Sequence, residues 1–413
     1  MRLAEDLLRD WQEALRLAQT GQVEAALDCM DKALAVAREQ AALWADRGGI
    51  EQLAGWHEAA EHSLRRALEL DARQASAHHN LGLLLQTRGA AAESLRHFES
   101  AVAAEPARAA FCASLGGARF ALQDYAGAEA AYVAALELDA GAARTRYNLA
   151  TVLLKRFRFE AAERELRRVT EDDPGFFEAW NNLGNVLNSQ GRHEEALAAH
   201  VRAIELQPAS AEAYANAGFD LRHLEHYDDA EQCYRKAIAL QPDHAKAHFN
   251  LAVCRLLRGG FEEGFAEYVW REGRTASSVP ERGDLAGRRI LLLRDQGIGD
   301  ELFFLRFAPC LKAAGAHVIC QASPKLAPLL RRWPVLDAVT TNGVQADVTV
   351  RLGDLPAFLR QGLRPGDFPA VPLAALPERR ENARRALAAL GPPPYVAVTW
   401  RAGTSLADQV GRS

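Results

Sequence analysis

The sequence is poor in the features that mark a secreted, membrane-spanning or metal-stapled protein. Six cysteines among 413 residues (Cys29, Cys112, Cys233, Cys254, Cys310 and Cys320) include no C-x-x-C pair, so free, mostly buried thiols are expected, not disulfides or structural zinc. No uncharged run of about 18 residues occurs, and the first ten residues carry charges where a signal peptide needs an unbroken apolar stretch. Membrane insertion is therefore not expected, and a cytoplasmic location is. Lys plus Arg is 49 against 54 Asp plus Glu, a net charge of -5, which leaves no basic excess for a run of phosphates; nucleic acid is not an expected partner. The histidines form no H-E-x-x-H motif, and His223 and His226, three apart on an expected helix, lack a third ligand, so no metal is expected. What is present is ordinary globular material, 49% hydrophobic and 25% charged, in a chain long enough for two or three domains.

The first two thirds repeat with a period of 34 residues from about Leu7, without insertion or deletion. In the most regular unit, Phe177 to Ser210, Trp180, Leu183, Gly184, Leu187, Ala196, Ala203 and Pro208 hold positions 4, 7, 8, 11, 20, 27 and 32. Position 8 is small throughout (Gly48, Gly82, Gly116, Ala150, Gly184, Gly218, Ala252), as is position 20. Position 24 carries Met30, Leu64, Phe98, Tyr132, Leu166, His200, Tyr234 and Tyr268, large enough in nearly every unit to fill the space that the small residues leave. Pro106, Pro174, Pro208 and Pro242 end the second helix of their units, because proline cannot extend it. Position 6 is polar in all eight units: Asn80, Asn148, Asn182, Asn216 and Asn250, with Gln12, Asp46 and Ser114 in the other three.

This pattern resembles the tetratricopeptide repeat family over eight units. The resemblance implies a stack of helical hairpins that bury their apolar faces only against neighbours, an α-solenoid with a concave groove lined by the first helix of each unit. The first unit departs from the pattern, with Asp10 and Ala14 at positions 4 and 8, as a terminal cap would, and the eighth carries Gly264 and Arg271 at positions 20 and 27. Under this resemblance the position-6 amides form a ladder along the groove. A carboxamide donates and accepts, so it can pair with an extended peptide backbone without reading its side chains. The ladder is similar to that of the protein O-linked N-acetylglucosamine transferases, which implies a polypeptide partner; the competing reading is a solvated polar residue common to such repeats.

Beyond Gly273 the period stops. Residues 273–287 are polar and broken by Pro280 and Gly283, as a linker is. Short apolar strands then alternate with helical patterns: strands at 290–293, 317–321, 338–341, 347–350 and 395–400, and helices at 301–314, 324–332 and 378–390, which predicts a doubly wound parallel sheet. Arg294-Asp-Gln-Gly-Ile-Gly-Asp300 joins the first strand to the first helix, placing Gly297, Gly299 and Asp300 beyond a strand's carboxyl end, where such sheets bind ligands.

The order Arg294, Gly299-Asp300, Pro309 resembles the N-terminal half of two-domain GT-B glycosyltransferases of the heptosyltransferase kind. The Gln296-Gly-Ile-Gly-Asp-Glu301 turn and the Phe261–Arg271 segment are both similar to bacterial proteins that join tetratricopeptide repeats to such a domain. The resemblance implies a Rossmann-like domain over 288–394, after repeats over 1–272 and the linker, with 395–413 the start of a second half that holds the nucleotide in the full fold and is otherwise absent from this sequence. It implies no cofactor, a nucleotide sugar as donor substrate, Asp300 as the base for a protein hydroxyl, and Arg294, Gln296, Gly297 and Gly299 as an acceptor or anion turn. Each has a plainer alternative: Asp300 as a helix cap alone, the glycines as turn formers, Arg294 as a solvated strand end. A non-catalytic peptide-binding scaffold with a vestigial transferase half remains the alternative for the whole chain.

Overall fold

A computed structural model describes residues 2–359 except 276, 278, 295 and 296, together with 378, 381, 382, 384 and 385. The periodic region is a run of helical hairpins in the expected phase. They are α1 (Arg2–Gln19) with α2 (Val23–Val36), α3 (Ala41–Leu53) with α4 (His57–Leu70), α5 (Ala75–Thr87) with α6 (Ala91–Ala104), and α7 (Ala109–Ala121) with α8 (Tyr125–Leu138). The run continues with α9 (Ala143–Lys155) and α10 (Phe159–Asp172), α11 (Phe177–Ser189) and α12 (His193–Leu206), α13 (Ala211–His223) and α14 (Tyr227–Leu240), and α15 (Ala245–Leu257) and α16 (Phe261–Tyr268). The four prolines each stand two residues beyond the last residue of α6, α10, α12 and α14. His223 and His226 do not share a helix: His223 ends α13 and His226 caps α14.

The small and large positions meet as the spacing implies. A Cβ on Gly48, Gly82, Gly116 or Gly218 would lie 2.6–2.8 Å from the nearest atom of Leu64, Phe98, Tyr132 or Tyr234, and one on Gly184 would lie 2.4 Å from His200. His200 thus fills the slot that large apolar residues fill elsewhere. Between the two helices of every unit, position 15 has positive φ; it is glycine in five units but Gln123, Phe157 and Glu225 in three, and Phe157 is 75% exposed.

The chain divides into two compact units, Met1–Ala247 and His248–Ser413. This boundary differs from the linker read at 273–287: the last hairpin belongs to the second unit. The reason is its packing. Phe265 shares a core with Ile290, Leu292, Phe304, Leu305, Phe307 and Leu311, with Leu256, Phe261 and Tyr268 against it. Arg271, 3% exposed, pairs with Asp354 (Nη1 to Oδ1, 2.5 Å), which Arg274 also grips (2.6 Å to Oδ2). Gly353 admits the Arg271 guanidinium, since a Cβ there would lie 2.4 Å from it. The two departures noted in the eighth repeat are therefore adaptations to a different neighbour.

That neighbour is a four-stranded parallel sheet of order β3-β2-β1-β4, with β1 at Arg289–Leu293, β2 at His317–Gln321, β3 at Ala338–Thr340 and β4 at Val348–Arg351. Ile290 pairs with Val318 on one side and Val348 on the other, and all three are buried, as a parallel sheet covered by helices requires. The helix expected over 301–314 is instead two, α17 (Ile298–Leu305) and α18 (Ala308–Ala313). Pro309 lies in the first turn of α18, where a missing N–H costs nothing. The expected helix at 324–332 shortens to α19 (Ala327–Leu330), and α20 (Leu355–Leu359) follows a 3₁₀ turn at Leu352–Asp354. The expected strand at 395–400 and most of the expected helix at 378–390 lie outside the described residues.

Candidate functional site

In the first unit, successive first helices approach one another (α1 with α3, α3 with α5, α5 with α7, α7 with α9, α11 with α13), and no pair of second helices does so to that extent. Closer spacing on one side is curvature toward that side, so the first helices face the inside of the unit. Position 6 lies on these helices, and its residues fall into two groups.

In the first group, the position-6 side chain bonds the position-5 side chain of the preceding repeat, 35 residues earlier. Trp11 Nε1 donates to Asp46 Oδ2 (2.7 Å), His79 Nε2 meets Ser114 Oγ (2.9 Å), Asn182 Nδ2 donates to Tyr147 Oη (2.9 Å), and Asn216 Nδ2 donates to Asn181 Oδ1 (3.1 Å). Asn216 is 3% exposed and its oxygen also accepts from Lys246 Nζ (3.2 Å), so both ends of that amide are committed within the chain. Burial lowers the pKa of His79 and so favours the neutral ring, whose ring nitrogens can each donate or accept. In the second group, position 5 of the preceding repeat is alanine (Ala45, Ala113, Ala215), which offers no partner, and Asn80, Asn148 and Asn250 follow it. Asn148 lies near the Tyr132 hydroxyl, which burial pushes up to about 12 against the opposing influence of that amide. Asn250, in the second unit, is buried. Asn80 is half-buried, its Oδ1 meets His79 Nδ1 at 3.4 Å, and it lines a cavity. The row of five asparagines is therefore not a uniform ladder. The signal that separates its members is the alternation of alanine and hydrogen-bonding residues at position 5.

The cavity lies on the first helices of repeats one to three, encloses about 510 Å³, and is walled by Leu15, Ile50, Leu53, Leu83 and Leu84 with Asp46, Gln52 and Asn80. Leu53 is 69% and Leu83 37% exposed, so its rim is apolar and open. Gly49, at position 9, leaves room here: six of the other repeats carry Leu15, Leu83, Thr151, Asn185, Phe219 and Val253 there and one carries Gly117, and a Cβ on Gly49 would approach Asn80 Nδ2 to 3.0 Å. Asp46 is a carboxylate on an apolar wall. Burial raises its pKa against the opposing Trp11 hydrogen bond, and Arg47 beside it is committed to Asp31 and Glu51.

In the second unit, Arg294 and residues 297–300 follow the carboxyl end of β1, the strand next to which the strand order reverses. Gly297 caps α17, and Asp300 occupies the third helical position, not the cap itself. Its Oδ2 accepts the Gly297 N–H at 3.2 Å, a reach-back contact that also places a carboxylate at the positive end of the helix. Asp300 and Arg294 are exposed, Gly299 is half-buried, and Gln296 lies outside the described residues. The neighbouring Glu301, missed in the sequence, is 2% exposed and accepts the Ser323 N–H (3.2 Å), tying α17 to the end of β2. Burial, with Glu301 nearby, pushes the Cys320 thiol up to about 12, an inert core thiol. Among the described residues no cluster of three or more His, Cys, Asp or Glu could hold a metal, and no helix is long and apolar enough to cross a membrane.

Three tetratricopeptide repeat profiles match the sequence, over residues 147–213, 211–244 and 233–265. The chain carries tetratricopeptide repeats. Solved structures similar to it include YrrB, described as a tetratricopeptide repeat protein with an unusual peptide-binding site (27% identity, 45% of this chain and 95% of that one, TM-score 0.41). Others are MamA (22% identity, 42% and 94%, TM-score 0.39) and PilF of Pseudomonas aeruginosa (19% identity, 50% and 94%, TM-score 0.45). No curated protein matches.

Proposed function

We propose that the tetratricopeptide repeats form a scaffold that holds an extended segment of another protein along the face of their first helices. The observation that carries this reading is the cavity at Gly49, an open apolar recess with the Asn80 amide in its wall. An apolar recess beside a group that both donates and accepts is what an extended peptide requires: a pocket for one side chain and a partner for its backbone. Asn148 supplies a second half-buried amide on the same helix layer; Asn182 and Asn216 serve the stack. The test is binding of a positional-scanning library of unstructured hexapeptides to the full chain, with Gly49→Leu as the blocked variant. Specific binding that Gly49→Leu removes is expected; binding indifferent to that substitution would sink the reading.

A second reading gives the C-terminal unit a glycosyltransferase role. The order β3-β2-β1-β4, all parallel, is that of the first four strands of a doubly wound dinucleotide-binding sheet, and the glycine turn bearing Asp300 lies at its switch point. In that reading the oxygen of an acceptor hydroxyl attacks the anomeric carbon of a nucleotide sugar. Its proton passes to Asp300, and the nucleoside diphosphate leaves with the bonding electrons. Transfer of labelled sugar to a bound peptide, abolished by Asp300→Asn, supports it; no transfer, or transfer that survives Asp300→Asn, leaves the scaffold alone.

A further inference from the structure

The recess at Gly49 also has a charge preference. Resting on the scaffold reading, we infer that it receives an aliphatic side chain of an extended peptide in which a neighbouring lysine or arginine pairs with Asp46. Two features select that chemistry.

The walls are aliphatic on both sides, Leu15 from α1, Ile50 and Leu53 from α3, Leu83 and Leu84 from α5, so an apolar group entering them exchanges water for contact over most of its surface. At about 510 Å³ the recess falls in the size class, roughly 300–1,000 Å³, that accommodates a side chain with its backbone.

The carboxylate is the second feature. Asp46 lines this recess, accepts one neutral hydrogen bond from Trp11, and has no cationic partner within ion-pair distance among the described residues. Its neighbour Arg47, the nearest cation in sequence, is held by Asp31 and Glu51, and Arg108, whose charge reaches Asp46, pairs with Glu105 and lies over the Phe111 ring. The only other titratable side chain in the lining is the exposed His57. A partly desolvated anion that feels Arg108 only at a distance and has no ion pair is further stabilised by a cation that a ligand brings against it and repels an acidic one, so it sorts ligands by sign.

The experiment is calorimetric titration of the full chain with four blocked decapeptides that differ at two adjacent positions: Leu-Lys, Leu-Gln, Leu-Glu and Ser-Lys. Leu-Lys is expected to bind best, Leu-Gln about fivefold more weakly, and Leu-Glu more weakly still. Ser-Lys should lose about tenfold through the missing apolar contact. Asp46→Asn, which keeps an acceptor for Trp11, should erase the Lys-over-Gln preference and retain Leu over Ser. Leu53→Ser, at an exposed position, should weaken the three Leu-containing peptides without unfolding the chain and so guards against a folding defect in Gly49→Leu. Equal binding of Leu-Lys and Leu-Gln, or a preference that survives Asp46→Asn, overturns the inference while leaving the scaffold intact. Binding of all four unaffected by Gly49→Leu and Leu53→Ser overturns both. Equal binding of a free alkylammonium ion, or self-association that Gly49→Leu abolishes, assigns the recess to another occupant and also overturns the inference.

Discussion

The hairpins α13–α14 and α15–α16 are consecutive and share one 34-residue frame, yet they close in opposite ways. In the first, Tyr234 lies over Gly218, and Ala230 and Ala237 are fully buried, so small and large residues interlock. In the second, Gly264 packs on Leu256, Phe265 meets the rings of Phe304 and Phe307, and the place of Ala237 is taken by Arg271, buried on Asp354. A repeat that stacks on another repeat relies on alternating small and large residues, with side-chain links such as Asn181–Asn216 added between repeats. One that stacks on a sheet needs aromatic bulk and a matched charge, because the opposing surface does not share its periodicity.

The largest effect that would break this contrast comes from the buried ion pair. Arg271→Ala strands Asp354 among apolar neighbours with only Arg274 to compensate, and about 3–5 kcal/mol should be lost. Hydrogen exchange should report it as faster exchange at β1 and β4 amides, whereas Arg271→Met with Asp354→Leu should recover most of the loss. A small effect of Arg271→Ala would mean that the last hairpin is held by its aromatic rings alone. Next in size is Gly184→Ala, which drives a methyl into His200, itself fixed through Nδ1 to Asp220 (2.5 Å); about 1–3 kcal/mol is expected by chemical denaturation. Smallest is the comparison between the two kinds of asparagine. Asn182→Ala removes the donor to Tyr147 and should cost about 1 kcal/mol, while Asn80→Ala should leave the denaturation midpoint nearly unchanged and reduce peptide affinity.

Much of this architecture was legible in the sequence. Hairpin phase follows from position 8, position 24 and the four prolines, and the strands at 290–293 and 317–321 follow from short apolar runs whose bounds match β1 and β2 within one residue. The boundary between units was less legible. Polar residues at 273–287 read as a linker, but the meaning of Arg271 depends on Asp354, 83 residues later, which periodicity does not reach. The site was legible in part. An asparagine at position 6 is the same letter whether it bonds Tyr147, is enclosed like Asn216, or faces a recess like Asn80. What distinguishes them is the residue 35 positions earlier, and the recess itself comes from the side chain that Gly49 lacks.

The links between positions 5 and 6 also restrict how such an array can grow. A duplicated or exchanged module keeps its helices in phase, yet it carries half of each link with it. Copying the repeat that ends with Ala142 into the place before Asn216 would set Ala113 where Asn181 stood and leave that enclosed amide without its acceptor. Gene-level reshuffling should therefore be tolerated mainly in blocks cut where an alanine already precedes the join, and these repeats are less interchangeable than their common length suggests.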